Sequence, residues 1–414
     1  MRQSVGVEVL RPDGAGYDAA RQPQIPRFAD VRPAAIARCT STADVVEALA
    51  LARREGDGVA VRSGGHCFAG RSSTTGVLID VSALNDISVN AGVVTVGAGA
   101  TLGAIYDALA PEKTIVGGCG PTVGIAGLAL GGGLGILGRR YGLTCDQVTG
   151  AEMVCADGTV VNADDDLLWA LRGSGGGQFG IVTRLTLRTV PAPPIKCFHV
   201  TYPLDQASAL IDWWQRVAPD APDETAASLI VRPDAVHLFG AGDIDAETTP
   251  ELPYREAKRW LNENGPPEQE ATDERSKSEF FRALIPAETI AELMQHFAAA
   301  DHPRELDFSP WGGAYNRTPL EATAFPHRDA RFLLKLSGPP AWLQDAYERA
   351  RPHSTGGAYV NFPDPDLTDW ETAYHGSNYA RLQAIKARYD PDDVFSFHQS
   401  VSAPRREAAA TARD

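Results

Sequence analysis

The sequence has few of the features that mark secreted, zinc-binding or membrane-spanning proteins. Its six cysteines all lie in the first half of the chain, with no Cys-x-x-Cys pair: Cys39, Cys67, Cys119, Cys145, Cys155 and Cys197. This arrangement indicates neither a disulfide framework nor a metal site, so we expect no bound metal. No apolar run approaches the roughly 18 residues of a membrane helix, and the first residues lack the apolar core of a signal peptide. We therefore expect a cytoplasmic protein with no membrane partner.

Basic clusters are absent as well. The formal net charge is −15, and no Lys/Arg-rich run interrupts this negative balance. A field of that sign repels phosphates, so nucleic acid is excluded as an expected partner. Apolar residues make up 43% of the chain and charged residues 22%, which is typical of a globular protein with a large core. The expected partner is therefore a small molecule, and nothing in the sequence indicates an oligomeric state.

The order of predicted strands and helices indicates two α+β units. Apolar residues at helical spacing predict a helix over Thr42–Arg53, capped by Ser41 or Thr42, and another over Asn378–Tyr389. The clearest boundary is Pro191-Ala-Pro-Pro194, because three prolines in four residues can continue neither a strand nor a helix. We predict a first unit over 1–195, a central unit over 196–360, and a C-terminal segment, 361–414, that returns to the first unit.

Two stretches match the dinucleotide-binding pattern Gly-x-Gly-x-x-Gly without its structural context. They are Gly133/Gly135/Gly138 and Gly175/Gly177/Gly180. The motif needs a long helix directly after the glycines, because the N-terminus of that helix holds the pyrophosphate. In the first stretch, another glycine follows within four residues, and the second stretch continues into a predicted strand. Neither is followed by a long predicted helix. A nicotinamide-binding Rossmann unit is therefore disfavoured.

Glycine is nevertheless concentrated in two loops. Ten glycines fall within residues 117–138, and a second loop runs from Ser63 to Gly70 around His66. A flexible loop is one explanation, but the apolar residues between the glycines argue against disorder. Glycine alternating with apolar residues is typical of backbone packed closely against a flat ligand, with its amides free to donate. A phosphate-bearing cofactor is the candidate we favour.

The two loops contain Val61-Arg-Ser-Gly-Gly-His66 and Pro121-Thr-Val-Gly-Ile-Ala-Gly127. Together they resemble the berberine-bridge-enzyme-like branch of the vanillyl-alcohol-oxidase flavoprotein superfamily. The match continues in order along nearly the whole chain, through Arg140-Tyr-Gly-Leu-Thr-Cys-Asp146, Gly177-Gln-Phe-Gly-Ile-Val182, Ala324-Phe-Pro-His-Arg328, Tyr359-Val-Asn361 and Asp390-Pro-Asp-Asp-Val-Phe395. It implies an α+β, two-domain PCMH-type FAD-binding fold. In this fold a central substrate domain of antiparallel sheet, covered by helices, roofs the flavin ring.

The resemblance also implies that FAD is bonded covalently through His66 to the flavin 8α-methyl; the alternative is a histidine that only hydrogen-bonds within its turn. Many relatives add a second bond from a cysteine, but that position is Gly120 here. Cys119 stands one residue early, so we expect it to miss the flavin. The expected cofactor-binding residues are His66, Arg62, Ser63, Gly64, Gly65, Cys67, Gly70, Cys119, Gly120, Pro121, Thr122, Val123, Gly124, Gly127, Gly131, Gly132, Gly135, Ile181, Val182 and Asn378.

The expected reaction transfers hydride from an alcohol, an amine or a secondary-metabolite intermediate to the flavin, while a base removes a proton. Tyr359 and Asn361 match the family's Tyr-x-Asn segment, which supplies such a base. A tyrosine with its ordinary pKa needs a nearby cation to act, and we expect Lys335 to lower the pKa of Tyr359. The alternatives are a packed tyrosine and a solvated lysine. Phe68 replaces a tyrosine common in relatives, which favours a hydrophobic, polyketide-like substrate over a sugar.

Three functions remain open at this point: an oxidase that uses molecular oxygen, a dehydrogenase with another electron acceptor, and a catalytically silent flavin-binding protein. The resemblance favours the oxidase through Val123. In relatives, valine at this position tends to accompany oxidases and leucine tends to accompany dehydrogenases. The alternative is that Val123 is only a packing residue. Retention of both flavin loops and of Tyr359 disfavours a silent protein.

Overall fold

The computed structural model describes residues 6–56, 58–266 and 275–404. The strands are β1 (Glu8–Leu10), β2 (Ala35–Arg38), β3 (Val59–Arg62), β4 (Val77–Asp80), β5 (Ile87–Asn90), β6 (Val93–Gly97), β7 (Lys113–Thr114), β8 (Val148–Val154), β9 (Val160–Asn162), β10 (Ile181–Arg188), β11 (Val190–Pro191), β12 (Cys197–Tyr202), β13 (Ala226–Val231), β14 (Val236–Ala241), β15 (Arg275–Phe281), β16 (Glu305–Pro310) and β17 (Phe332–Gly338). The helices are α1 (Tyr17–Ala20), α2 (Thr42–Glu55), α3 (Leu102–Ala108), α4 (Ile125–Leu130), α5 (Gly138–Tyr141), α6 (Asp165–Ala170), α7 (Ala207–Val217), α8 (Tyr254–Asn264), α9 (Ala287–Ala298), α10 (Ala314–Arg317), α11 (Pro340–Ala350), α12 (Trp370–His375) and α13 (Tyr379–Tyr389).

The first part of the chain forms two larger sheets with α2 between them, and β7 and β11 pair in a short two-stranded sheet. One sheet has the order β1-β2-β4-β3, and the other, which is antiparallel, has the order β5-β6-β10-β8-β9. The predicted cap of α2 is confirmed, because the Ser41 side chain accepts a hydrogen bond from the Asp44 amide at 3.2 Å. Gly56, with φ of 76°, ends the helix in a left-handed turn. The buried stripe of α2 joins one apolar core with residues of both sheets.

A six-stranded antiparallel sheet follows, in the order β12-β14-β13-β16-β17-β15. Along each strand, alternate side chains point to opposite faces. One face packs its apolar residues, such as Leu229, Phe308 and Leu334, against α7, α9 and α11. The other face, which we call the polar face, carries Asp307, with Lys335 directly opposite it in register. The α+β class with an antiparallel, helix-covered sheet is therefore confirmed.

The C-terminal segment joins the first part of the chain through a buried ion pair. Lys386 of α13 is fully buried and donates to the Asp390 carboxylate at 2.7 Å. The same ammonium group donates to the carbonyl oxygens of Gln178 at 2.7 Å and Phe395 at 2.8 Å. These bonds hold the segment after residue 390 against the start of β10. We keep the division of the chain near residues 195 and 360 as a proposal.

Several elements carry no clear signal in the sequence. Strand β15 reads as polar, yet Lys277 and Glu279 are buried on the helix-covered face. The Lys277 ammonium pairs there with an Asp364 carboxylate oxygen at 2.6 Å, which neutralises its charge. The charged residue therefore makes a buried strand look exposed in the sequence. The glycine-rich region, in turn, is not extended throughout, because α4 forms within it.

Candidate functional site

A cavity of about 430 Å³ is enclosed by the first part of the chain and the C-terminal segment. Its walls come from β3 and the following loop, 63–72, from α4, from the start of β10, and from segments 359–363 and 395–397. The expected site residues that line it are Ser63, Gly64, Gly65, His66, Cys67, Val123, Gly124, Gly127, Ile181, Val182, Tyr359 and Asn361. The expected residues outside this lining are Arg62, Gly70, Cys119, Gly120, Pro121, Thr122, Gly131, Gly132, Gly135, Lys335 and Asn378.

Some of the residues outside the lining brace it from behind. Arg62 is buried and donates to the carbonyl oxygens of Ser72 at 3.0 Å and Ala20 at 2.9 Å, which fixes both ends of the loop. Gly64 and Gly124 pack backbone to backbone, and neither leaves room for a Cβ atom. The two glycine loops therefore meet directly, so glycine at these positions serves close approach.

His66 lies where the two loops meet. Its Nε2 atom is 3.0 Å from the Thr122 hydroxyl oxygen, and the imidazole lines the cavity. Thr122 is thus positioned to orient the ring, although it does not line the cavity itself. A ring nitrogen oriented by a neighbouring hydroxyl is suited to nucleophilic attachment of a cofactor.

Cys119 points away from this cavity, into an apolar cluster that includes Cys197 and Leu261. The Lys258 ammonium lies 3.8 Å from its sulfur and donates to the carbonyl oxygens of Gly117 at 2.5 Å and Gly118 at 2.8 Å. Burial lowers the pKa of Lys258. No pattern in the sequence marks Lys258, because it lies in a helix together with the charged residues Arg255, Glu256 and Arg259.

Tyr359 and Asn361 hold the glycine-rich region in place. The Tyr359 hydroxyl oxygen accepts hydrogen bonds from the Gly133 amide at 2.8 Å and from Asn361 Nδ2 at 3.1 Å. Asn361 also donates to the Leu128 carbonyl at 2.9 Å, and its side chain fills the place that a Cβ atom of Gly131 would take. Any larger residue at position 131 would displace this contact.

The expectation that Lys335 lowers the pKa of Tyr359 is wrong. Burial raises the pKa of Tyr359 well above its ordinary value, and the two hydrogen bonds donated to its oxygen do not offset this. Lys335 instead lies 3.2 Å from a carboxylate oxygen of Glu305. The physical reason is the strand register, which places Lys335 beside β16 and its carboxylates.

Lys335 belongs to a charged network on the polar face, which we call the roof network: Arg232, Glu305, Asp307 and Lys335. Arg232 donates to Glu305 at 2.6 and 2.8 Å. Burial raises the pKa of Glu305, but the charges of Lys335 and Arg232 outweigh it and hold that pKa below its ordinary value. Asp307 differs, because burial outweighs Lys335 there and raises its pKa to about 6. No motif in the sequence marks Asp307.

Two aromatic rings connect the roof network to the cavity. The Lys335 ammonium is 5.8 Å from the centre of the Phe68 ring and 5.7 Å from that of the Phe362 ring. Both rings line the cavity, and their centres are 6.0 Å apart. The polar face therefore borders the cavity through these rings. A substrate bound there would meet the two apolar rings, behind which the Lys335 ammonium and the carboxyl groups of the roof network lie.

The lining fits a flavin nucleotide. It is largely apolar, as a flat aromatic ring system requires, and its glycines leave backbone amides available to phosphate oxygens. Within the described residues there is no cluster of three or more His, Cys, Asp or Glu side chains that could hold a metal ion. In the same ranges, no helix combines the length and apolarity needed to cross a membrane.

Comparison with known proteins identifies the family. Residues 33–164 match the FAD binding domain model, and residues 358–402 match the berberine and berberine-like model. The chain is 31% identical to the FAD-linked oxidoreductase YgaK of Bacillus subtilis over 96% of this chain and 97% of the relative. It is 30% identical to berberine bridge enzyme-like 3 of Arabidopsis thaliana, over 84% of this chain and 80% of that one.

A solved structure agrees with this assignment. The fold is similar to that of Physcomitrella patens BBE-like 1, with a TM-score of 0.87 and 27% identity, over 97% of this chain and 98% of that chain. The FAD-binding match covers the first glycine loop and His66, and the berberine-like match covers Tyr359 and the C-terminal segment as far as residue 402. This chain belongs to the berberine bridge enzyme-like family of FAD-linked oxidoreductases.

Proposed function

We propose that the protein is an oxidase that takes hydride from a small organic alcohol, amine or secondary-metabolite intermediate and reduces molecular oxygen to hydrogen peroxide. Bound FAD supplies the chemistry by accepting the hydride and passing two electrons to oxygen. The observation that carries the proposal is the position of the roof network, which borders the flavin-type cavity through Phe68 and Phe362. A catalytically silent protein would have no need of a titratable carboxyl group at that place.

We propose that FAD is attached through one covalent bond, to His66. Two observations support this: the imidazole lines the cavity, and the Thr122 hydroxyl orients it. The second bond found in many relatives is not expected here, because Cys119 packs into the apolar cluster beside Lys258. An attached flavin is held without loss and has a raised reduction potential.

We propose that Asp307 accepts the proton that the substrate hydroxyl or N–H group loses. A carboxyl group with a pKa of about 6 is largely ionised at neutral pH and still basic enough to take a proton. Lys335 stabilises its ionised form from the opposite strand. Tyr359, the base that the family resemblance implies, is instead proposed to position the glycine-rich region together with Asn361.

Access of oxygen is proposed to depend on Val123. This residue lines the cavity and is only partly buried. In a close-packed wall, one additional methylene group is enough to fill a void of the size of a diatomic molecule. The smaller valine therefore favours an oxidase over a dehydrogenase that uses a different electron acceptor.

Val123→Leu is expected to slow reoxidation of the reduced flavin by about tenfold or more, which corresponds to roughly 1.4 kcal/mol of added barrier. The flavin is reduced anaerobically with dithionite and mixed with air-saturated buffer, and its absorbance is followed. The wild-type protein should reoxidise within seconds. Val123→Ala is the matched control and should reoxidise at least as fast as wild type. A wild-type flavin that stays reduced for many minutes would identify the protein as a dehydrogenase.

A further inference from the structure

Arg71 is the one permanently charged side chain among the described residues that line the cavity. The remaining lining is apolar, backbone or uncharged polar. Arg71 follows Gly70, whose left-handed turn (φ of 70°) packs against the Phe28 ring. The turn therefore fixes the point from which this side chain enters the cavity wall.

The surroundings of Arg71 leave most of its hydrogen-bonding capacity unused. Its Nη2 donates to the Gln399 side-chain oxygen at 3.1 Å, and the guanidinium lies 4.6 Å from the centre of the Phe397 ring. Within the described part of the chain, no aspartate or glutamate pairs with it. Buried arginines elsewhere have more partners: Arg232 pairs with Glu305 and Arg328 with Asp146, and Arg62 donates to several carbonyl oxygens. A guanidinium has five N–H donors, so this cation can still bind an anion.

The residue that orients Arg71 has a strained backbone conformation. Gln399 is buried and takes a left-handed backbone conformation, with φ of 69°, which non-glycine residues rarely adopt. Its amide nitrogen donates to the carbonyl oxygens of Asp364 at 2.7 Å and Leu367 at 3.1 Å. The amide oxygen is thereby fixed toward Arg71. A strained residue kept in place to orient one charged side chain is typical of a binding site.

We propose that Arg71 supplies the countercharge for the diphosphate of bound FAD. The diphosphate is the anionic part of the cofactor, and amide donors together with a positive charge offset the cost of burying an anion. Loop residues 64–66 offer backbone amides in the same cavity, and Arg71 offers the charge. Burial lowers the pKa of Arg71, which agrees with a cation placed in a poorly solvated wall. The inference rests on FAD binding and is independent of oxidase activity.

The test measures cofactor affinity in a protein whose flavin is dissociable. In the His66→Ala background, apoprotein is titrated with FAD and with riboflavin, and quenching of flavin fluorescence gives both Kd values. Adding Arg71→Gln should weaken FAD binding about 10- to 100-fold and leave riboflavin binding unchanged, because riboflavin carries no phosphate. Arg71→Lys should recover part of the FAD affinity. Arg54→Gln, at an exposed arginine of α2, is the matched control and should change neither Kd.

Equal loss of FAD and riboflavin affinity would overturn the proposal, since it would show that Arg71 only packs the cavity wall. No loss for either ligand would overturn it as well. If the wild-type flavin proves not to be covalent, the same titrations are made in wild-type apoprotein, so the proposals for His66 and Arg71 fail independently. Should Arg71→Gln not fold, the comparison of FAD with riboflavin in Arg71→Lys decides: selective weakening of FAD places the contact of Arg71 in the diphosphate-bearing part that riboflavin lacks.

Discussion

Asp307→Asn is expected to slow reduction of the bound flavin by substrate about 10²- to 10⁴-fold, the usual effect of losing a general base. The amide has nearly the same shape as the carboxyl group but cannot accept the substrate proton. Stopped-flow absorbance under anaerobic conditions measures this step with any compound that bleaches the wild-type flavin. Flavin content should stay unchanged, because Asp307 does not line the cofactor cavity.

The pH dependence of flavin reduction by substrate is an independent test of Asp307 as the base. Asp307 must be ionised to act, and its raised pKa of about 6 means that the ionised fraction falls as the pH drops below neutrality. The reduction rate should therefore rise about tenfold between pH 5 and pH 7 and then level off. In Asp307→Asn this rise should disappear. The other charged groups around Asp307, which are Lys335, Glu305 and Arg232, remain paired with one another in that variant.

Tyr359→Phe serves as the discriminating comparison. It removes the oxygen that accepts the Gly133 amide, which costs about 1–3 kcal/mol for the buried donor left unpaired. We expect a less stable protein whose flavin is reduced within about tenfold of the wild-type rate. A large loss of rate in Tyr359→Phe combined with a normal rate in Asp307→Asn would assign the proton to Tyr359 instead.

In His66→Ala, no flavin is expected to stay bound to the protein after denaturation. In the wild-type protein, yellow colour should remain in the pellet after acid precipitation, because a covalent bond persists when the fold is lost. In the variant, every non-covalent contact disappears on unfolding and the flavin should stay in the supernatant. Absorbance of the two fractions measures the difference.

Cys119→Ala is the matched control for His66→Ala. Because the sulfur lies in the apolar cluster beside Lys258, this variant should keep the same amount of denaturation-resistant flavin as wild type. Peptide mass spectrometry identifies the attachment site directly. A flavin-modified peptide containing Cys119 would contradict the single-bond proposal, and colour retained in His66→Ala would contradict the role of His66.

Features governed by local physical chemistry were predictable from the sequence. The helix at Thr42 follows from its apolar spacing and from a serine that caps it, and both act within one turn. The glycine loops were also predictable, because the close contact between their backbones, and not a distant side chain, requires Gly64 and Gly124. Their pattern was enough to indicate a phosphate-bearing cofactor.

The roof network was not predictable, because it depends on strand register. Asp307 and Lys335 are separated by 28 positions and face one another only because β16 and β17 pair as they do. A shift of one residue would have turned Lys335 to the helix-covered face. Arg71 carried no signal for a similar reason, since its partner Gln399 lies 328 positions away and no local pattern connects them.

The separation of Arg71 from Gln399 also has a consequence for biosynthesis. Residues 395–397 complete the cavity and Gln399 orients Arg71, so the flavin site cannot close before this segment has been synthesised. At a synthesis rate of 5–20 residues per second, roughly 16–66 s pass between the synthesis of Arg71 and that of Gln399. Cofactor capture is thus expected only after residue 399 has been made, and a chain truncated before α13 should be colourless. Yellow colour in a preparation would then report translation beyond this segment.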